Sequence, residues 1–354
     1  MSDKSPTAES TEDPVENETE PLSSVHTENL PGLLADLKCS LMVTTYQAGR
    51  IVLLRSDGNV LNTHFREFSR PMGLTERDGR LWIGGAIQIW EFHRSKAIAS
   101  AIDPKVDACF VPRRTHITGD IQVHEMAATD EDLWVVNTRF SCLCTLDGIH
   151  SFVPRWKPPF IDEMSPDDRC HLNGLALRND QPTYVTALGE TSSPRGWRDR
   201  KRDGGILLEV SSGEVLVRGL SMPHSPRWHE GNLWLLESGT GSIGIVDLAR
   251  GRYEPLLRLP GFTRGLSFAG RYAFVGLSQV RETAVFSGLP ITELDERASG
   301  VWVIDIDAMQ VVAFLRFDGS VREIFAVQVI PQIRFPELVV DDPRTLADAF
   351  ILPS

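Results

Sequence analysis

The sequence predicts an all-β fold, a six-bladed β-propeller closed by pairing of the C-terminal strand with the N-terminal strands. Three observations lead there: a short aromatic-bearing phrase recurs along the chain, the intervals between recurrences suit four short strands, and unmatched strands are left over at both ends. The phrase is a turn followed by a strand. It reads DGRLWIGG (78–85), DEDLWVVN (130–137), DQPTYVTA (180–187), EGNLWLLE (230–237) and AGRYAFVG (269–276). Aligning Trp82, Trp134, Tyr184, Trp234 and Ala273 gives spacings of 52, 50, 50 and 39 residues. Repeats of this length filled with strands and Gly-containing turns indicate propeller blades.

The unit 223–260 shows the pattern most plainly. PHSPRWH, NLWLLES, SIGIVDLA and RYEPLLRL are strand-like runs separated by EG, GTG and RG turns. Their Trp, Val, Ile and Leu content suits sheets buried on both faces. Five such units occupy 71–317. Ahead of them SLMVTTYQ, RIVLLRSDG and VLNTHFREF lack an inner partner, and after them REIFAVQVI (322–330) lacks three others. Together the leftovers complete one blade, and closing the ring removes free sheet edges. Short helices are expected only around Arg94–Ile102 and Pro343–Phe350. The expected division is a disordered acidic tail over 1–28, the propeller over 29–340 and a C-terminal extension over 341–354.

The chain has 354 residues and a net charge of −12. Eight acids and one base fall within residues 1–28, leaving about −5 for the rest. That balance argues against nucleic-acid or membrane-surface partners. The tail has too few apolar residues to offset its ordering entropy, and an acidic arm of this kind can recruit a protein partner. No apolar run approaches the ~18 residues of a membrane span, and MSDKSPTAES lacks the features of a secretory leader. Five scattered cysteines fit a reducing compartment, and a cytoplasmic location is the expectation.

Several phrases resemble the bacterial DUF4915 family, among them GDIQVHEMA (119–127), DRCHLNGLALRN (168–179), LSMPHSPRWH (220–229) and LPGFTRGLSF (259–268). The resemblance runs from about Leu37 to Pro336. It implies a propeller-like fold and carries over no catalytic residues.

In a propeller the inner strands begin beside the central channel. Their alignment puts His124, His224 and Glu323 in matching places, His171 one residue out of register, and Arg70 and Arg264 in similar places in two other blades. Three imidazoles and a carboxylate suggest a divalent transition metal held by His124, His171, His224 and Glu323. The alternatives are direct contact with a ligand, or separate histidines that bond backbone carbonyls. Arg139, Arg281 and the basic loop 188–204, which carries Trp197, could clamp a carboxylate or phosphate. Inter-blade ion pairs to Glu190, Glu237 or Asp168 would equally explain single arginines. Asn137, Thr138, Thr191, Ser238, Gln279 and Glu282 add polar groups on nearby loops. His124 and Glu125 could form a base and its orienting acid, but strand alternation turns one of them away. By the same alternation Cys170 beside His171 reads as a buried structural thiol. No nucleotide or flavin motif is present. A small-molecule enzyme of hydrolase, lyase or isomerase type, a module binding a small, anionic or peptide ligand, and a tail-directed scaffold all remain open.

Overall fold

A computed structural model describes residues 22–280 and 287–352. Among these residues the strands form six sheets in a ring, a six-bladed β-propeller. Blade 1 is the composite one: inner strand Ala326–Pro331, then Cys39–Thr45, Arg50–Asp57 and Val60–Glu67. Thr44 pairs with Ala326 and Cys39 with Pro331, so the ring is closed by antiparallel pairing of the two ends of the fold, as expected. The inner strand starts later than the sequence suggested, because residues 322–325 run as irregular chain into the channel mouth.

The other inner strands are Leu74–Arg77, Val123–Ala128, Leu172–Arg178, Pro223–His229 and Phe262–Ala269, opening blades 2 to 6. Blade 2 gains a fifth, parallel strand from Pro336–Leu338. Blade 6 gains one from Ser24–His26, which pairs with Arg316 and its neighbours. The last residues of the segment expected to be disordered therefore serve as an edge strand. Helices Lys96–Ile102 and Pro343–Ala347 lie where expected, and a third, Leu30–Asp36, caps the blade 1–blade 6 interface.

Each junction between neighbouring blades carries its own apolar cluster, which is why the sheets are hydrophobic on both faces. The repeated aromatic residue always packs toward the next blade: Trp82 on blade 3, Trp134 on blade 4, Tyr184 on blade 5 and Trp234 on blade 6. In blade 6 that role falls to Phe274, which packs on blade 1, while Ala273 faces back to blade 5. Burial of these large side chains is the main stabilising term, roughly 25 cal/mol per Å². Among the described residues no helix is long and apolar enough to cross a membrane. All five cysteines are buried thiols.

Candidate functional site: the polar mouth of the channel

The blades are tied together where their inner strands begin. Thr44, Thr138, Ser238 and Ser278 each donate a side-chain hydroxyl to a carbonyl of the next blade, at or just ahead of its inner strand: Met72, Leu172, Thr263 and Ile324. At the two remaining junctions the Gly73 amide donates to Val123 and the Asn173 side chain to Pro223. The six accepting carbonyls mark equivalent places. The residues that follow them, Gly73, His124, Asn173, His224, Arg264 and Phe325, form the ring around the axis.

This register corrects part of the expected one. His124, His224 and Arg264 do occupy matching places. Phe325, not Glu323, is the blade 1 member, with Glu323 two residues ahead of it. His171 likewise stands two residues ahead of Asn173, not one. It shares its place with Gln122 and Met222, and all three have left-handed backbone, φ 53°, 52° and 49° for Gln122, His171 and Met222. Arg70 precedes its ring position, Gly73, by three residues and is exposed.

Contacts between blades bring His124, His171, Phe325 and Arg264 together. The His124 ring meets His171 edge-on, with centroids 4.7 Å apart, and meets Phe325 at 5.1 Å. The second contact skips blade 2, whose ring position is a glycine without a side chain to intervene. The Arg264 guanidinium lies 3.5 Å over the Phe325 ring, a cation–π arrangement. Its Nη2 is buried without a hydrogen-bond partner among the described residues. One layer further along the channel, Glu125 turns away from His124 and bonds Arg227 at 3.0 Å.

All three imidazoles are held through Nδ1. His124 bonds the Gln122 carbonyl at 3.0 Å and His224 the Met222 carbonyl at 2.9 Å. Left-handed backbone at Gln122 and Met222 is what lets a carbonyl two residues back reach the ring. His171 bonds the Asp168 carboxylate at 2.8 Å, and that carboxylate also accepts from the Trp197 indole at 3.0 Å. Burial, together with the nearby His171 and Arg264, pushes His124 well below the usual histidine range. Burial and Arg264 do the same to His224. Burial brings Arg264 down to about 10, with Tyr46, Glu323 and Glu125 opposing the shift.

Other candidates are engaged elsewhere. Arg70 and Arg139 both approach Asp120, at 3.8 Å. Glu190 is clamped by Arg218 at 2.7 Å and 3.0 Å. Glu237 accepts from the Ser221 amide and the Thr240 hydroxyl. Trp197 is buried, tilted against His171 at 4.5 Å, and forms part of an apolar wall with Met222, Phe262 and Ile291. It is a support for His171 and not an exposed recognition side chain. Arg281 and Glu282 lie outside the described residues. Burial pushes the Cys170 thiol up to about 12, which suits the structural role expected of it.

Among the described residues no group of three or more His, Cys, Asp or Glu side chains gathers as a metal ion would require. The geometry therefore does not carry the metal reading of His124, His171, His224 and Glu323. Asp168 and Phe325 are members of the cluster that the sequence did not single out. Asp168 was weighed only as an ion-pair partner, although its three-residue spacing from His171 across a turn was a usable signal.

A six-bladed propeller with a polar, imidazole-rich plug at one channel mouth is the class these features define. Residues 28–339 match the family described as Domain of unknown function (DUF4915), and the chain belongs to that family. No curated protein matches the chain. Among solved structures, a chain in the crystal structure of a nidogen/laminin complex is similar with a TM-score of 0.53 and 12% identity, over 83% of this chain and 99% of that one. A protein of unknown function from Bacteroides caccae is similar with a TM-score of 0.52 and 10% identity, over 82% of this chain and 98% of that one. At such identities the likeness is one of fold.

Proposed function

We propose that the channel mouth binds a small anionic molecule, with Arg264 as its anchor. The carrying observation is the Arg264 guanidinium, stacked on Phe325 with a buried nitrogen that no described residue satisfies. A buried donor without a partner costs about 1–3 kcal/mol, more when charged. An incoming carboxylate or phosphate would repay that cost, and a guanidinium fork suits both. The histidines widen the polar surface without adding competing charge, since burial keeps His124 and His224 neutral near pH 7. The cysteine pattern favours a reducing compartment, in keeping with a cytoplasmic location.

A second reading is catalytic. It is favoured by the chain from Trp197 through Asp168 to His171, which fixes one imidazole in the manner of an oriented general base. Binding is the better supported of the two, because the unmet Arg264 nitrogen points directly to an acceptor, whereas an oriented imidazole serves binding and catalysis alike.

Thermal unfolding in a panel of phosphate and carboxylate salts tests the proposal. At 100 times its Kd a ligand stabilises by about 2.7 kcal/mol, enough to raise Tm visibly. Arg264→Met should lose that response. No stabilisation beyond chloride of equal ionic strength, or an unchanged response in the variant, would remove the reading.

A further inference from the structure

Two of the three imidazoles at the channel mouth, His124 and His224, are wired as acceptors. A backbone carbonyl cannot donate, so the bonds from His124 to Gln122 and from His224 to Met222 require the proton on Nδ1. Ser238 does not change this for His224. Its hydroxyl is 2.9 Å from the same Nδ1, but donates its own proton to the Thr263 carbonyl at 2.5 Å. A neutral ring has one N–H, which leaves Nε2 as a lone pair in both. At His171 the Asp168 carboxylate, which also accepts from the Trp197 indole, fixes a proton on Nδ1 and with it the direction of the ring. Among the described residues no hydrogen bond reaches Nε2 of any of the three.

We infer that the ligand of this site is a polyhydroxylated anion, a sugar acid or sugar phosphate, whose acid group meets Arg264 and whose hydroxyls donate to Nε2 of His124 and His224. The inference rests on the anion reading above and narrows it. A simple carboxylate satisfies the guanidinium but offers nothing to the lone pairs of His124 and His224. A polyol satisfies the lone pairs but leaves the guanidinium unmatched. An ammonium group could donate as well, but the Arg264 charge that already disfavours protonation of His124 and His224 would repel it.

Isothermal titration of the full chain with four probes separates the possibilities. Gluconate carries both features, hexanoate only the carboxylate, sorbitol only the hydroxyls, and glucose 6-phosphate exchanges carboxylate for phosphate. Gluconate or glucose 6-phosphate should bind at least about tenfold more tightly than hexanoate and sorbitol, since a site built for hydroxyls rejects analogues lacking them. Which of the two is tighter identifies the acid group. Hexanoate binding as tightly as gluconate would overturn the inference and leave the anion site standing. Sorbitol binding as tightly would overturn the anion reading. Failure of all four would overturn both. Nitrogen-15 NMR of the imidazoles is an independent check. The Nδ1–H tautomer is expected at His124 and His224, and the Nε2–H tautomer there would overturn the inference even if a ligand binds.

Discussion

Glu125 of blade 3 and Arg227 of blade 5 form a 3.0 Å ion pair that passes over blade 4. Arg227 also donates to the Leu175 carbonyl of the blade it crosses, at 3.3 Å. The pair sits beneath the imidazoles, where both charges are largely withdrawn from water. Burial pushes the Glu125 carboxyl upward even with the guanidinium opposing it.

Arg227→Met should therefore destabilise the fold by about 3–5 kcal/mol, since it strands a buried carboxylate. The double variant Glu125→Leu/Arg227→Met should recover most of that loss. Urea unfolding of the two variants checks the contrast, and equal losses in both would refute it.

Ser238 is fully buried and links two roles, bonding the Thr263 carbonyl across the blade junction and meeting the His224 ring. Ser238→Ala should cost about 1–3 kcal/mol by leaving that carbonyl unmatched. It should also perturb the His224 imidazole resonances, which a cost arising only from the blade junction would not do.

Acid should weaken the protein in two stages. In the first, the unfolded chain takes up protons at His124 and His224 near the ordinary value of 6.5, while the fold resists protonating them. Stability is then fully present above that value and is lost as pH falls below it. In the second stage Glu337 is involved. Burial disfavours its ionisation, but the nearby His64 ring at 3.4 Å and bonds from the Leu338 amide and Arg66 outweigh this and hold it at about 2 against 4.5. Its contribution, on the order of 3 kcal/mol, is present above 4.5 and fades as pH approaches 2. Urea midpoints across pH should show both stages, with Glu337→Gln flattening only the lower one and His224→Gln only the upper.

Gly265 adjoins Arg264 at φ 81°, and a Cβ there would lie 2.7 Å from the Val327 amide nitrogen. Gly265→Ala should thus cost more than the ~1–2 kcal/mol of the left-handed conformation alone. Denaturant unfolding reads the loss directly. A cost below about 1 kcal/mol would mean that the inner strands of blades 6 and 1 can separate freely.

The architecture was legible because one large side chain per blade, from Trp82 to Trp234, packs on the next blade at a nearly constant interval. Register at the channel was less so. Each ring residue precedes its aromatic partner by a variable count: nine from Gly73 to Trp82, ten from His124 to Trp134, eleven from Asn173 to Tyr184. The variation arises from bulges, such as the inner-strand one between His224 and Arg227 and the extra second-strand residue opposite Ala176 and Leu177. A bulge adds a residue without adding length, so counting along the chain misplaces whatever lies beyond it. That is how His171 was set one residue from register instead of two, whereas Glu323 stood in for Phe325 because residues 322–325 read as strand but run as irregular chain. Ala273 was aligned where Phe274 belongs, since both neighbours are apolar and only packing separates their directions. The polar cluster itself was visible as residue types at recurring places. Its wiring through Nδ1 was not, because it depends on left-handed backbone at Gln122 and Met222, which neither residue type advertises.

The composite blade sets the order in which the molecule can be finished. Phe325, which the Arg264 guanidinium covers, leads into the last inner strand to be synthesised, whereas that strand's sheet partner, Cys39–Thr45, is made well before it. Five blades can assemble on a growing chain while the Cys39–Thr45 strand waits with one edge bare. The contacts of Phe325 with His124 and Arg264 then form last, so a chain released too early would have most of its sheets and an unfinished channel mouth.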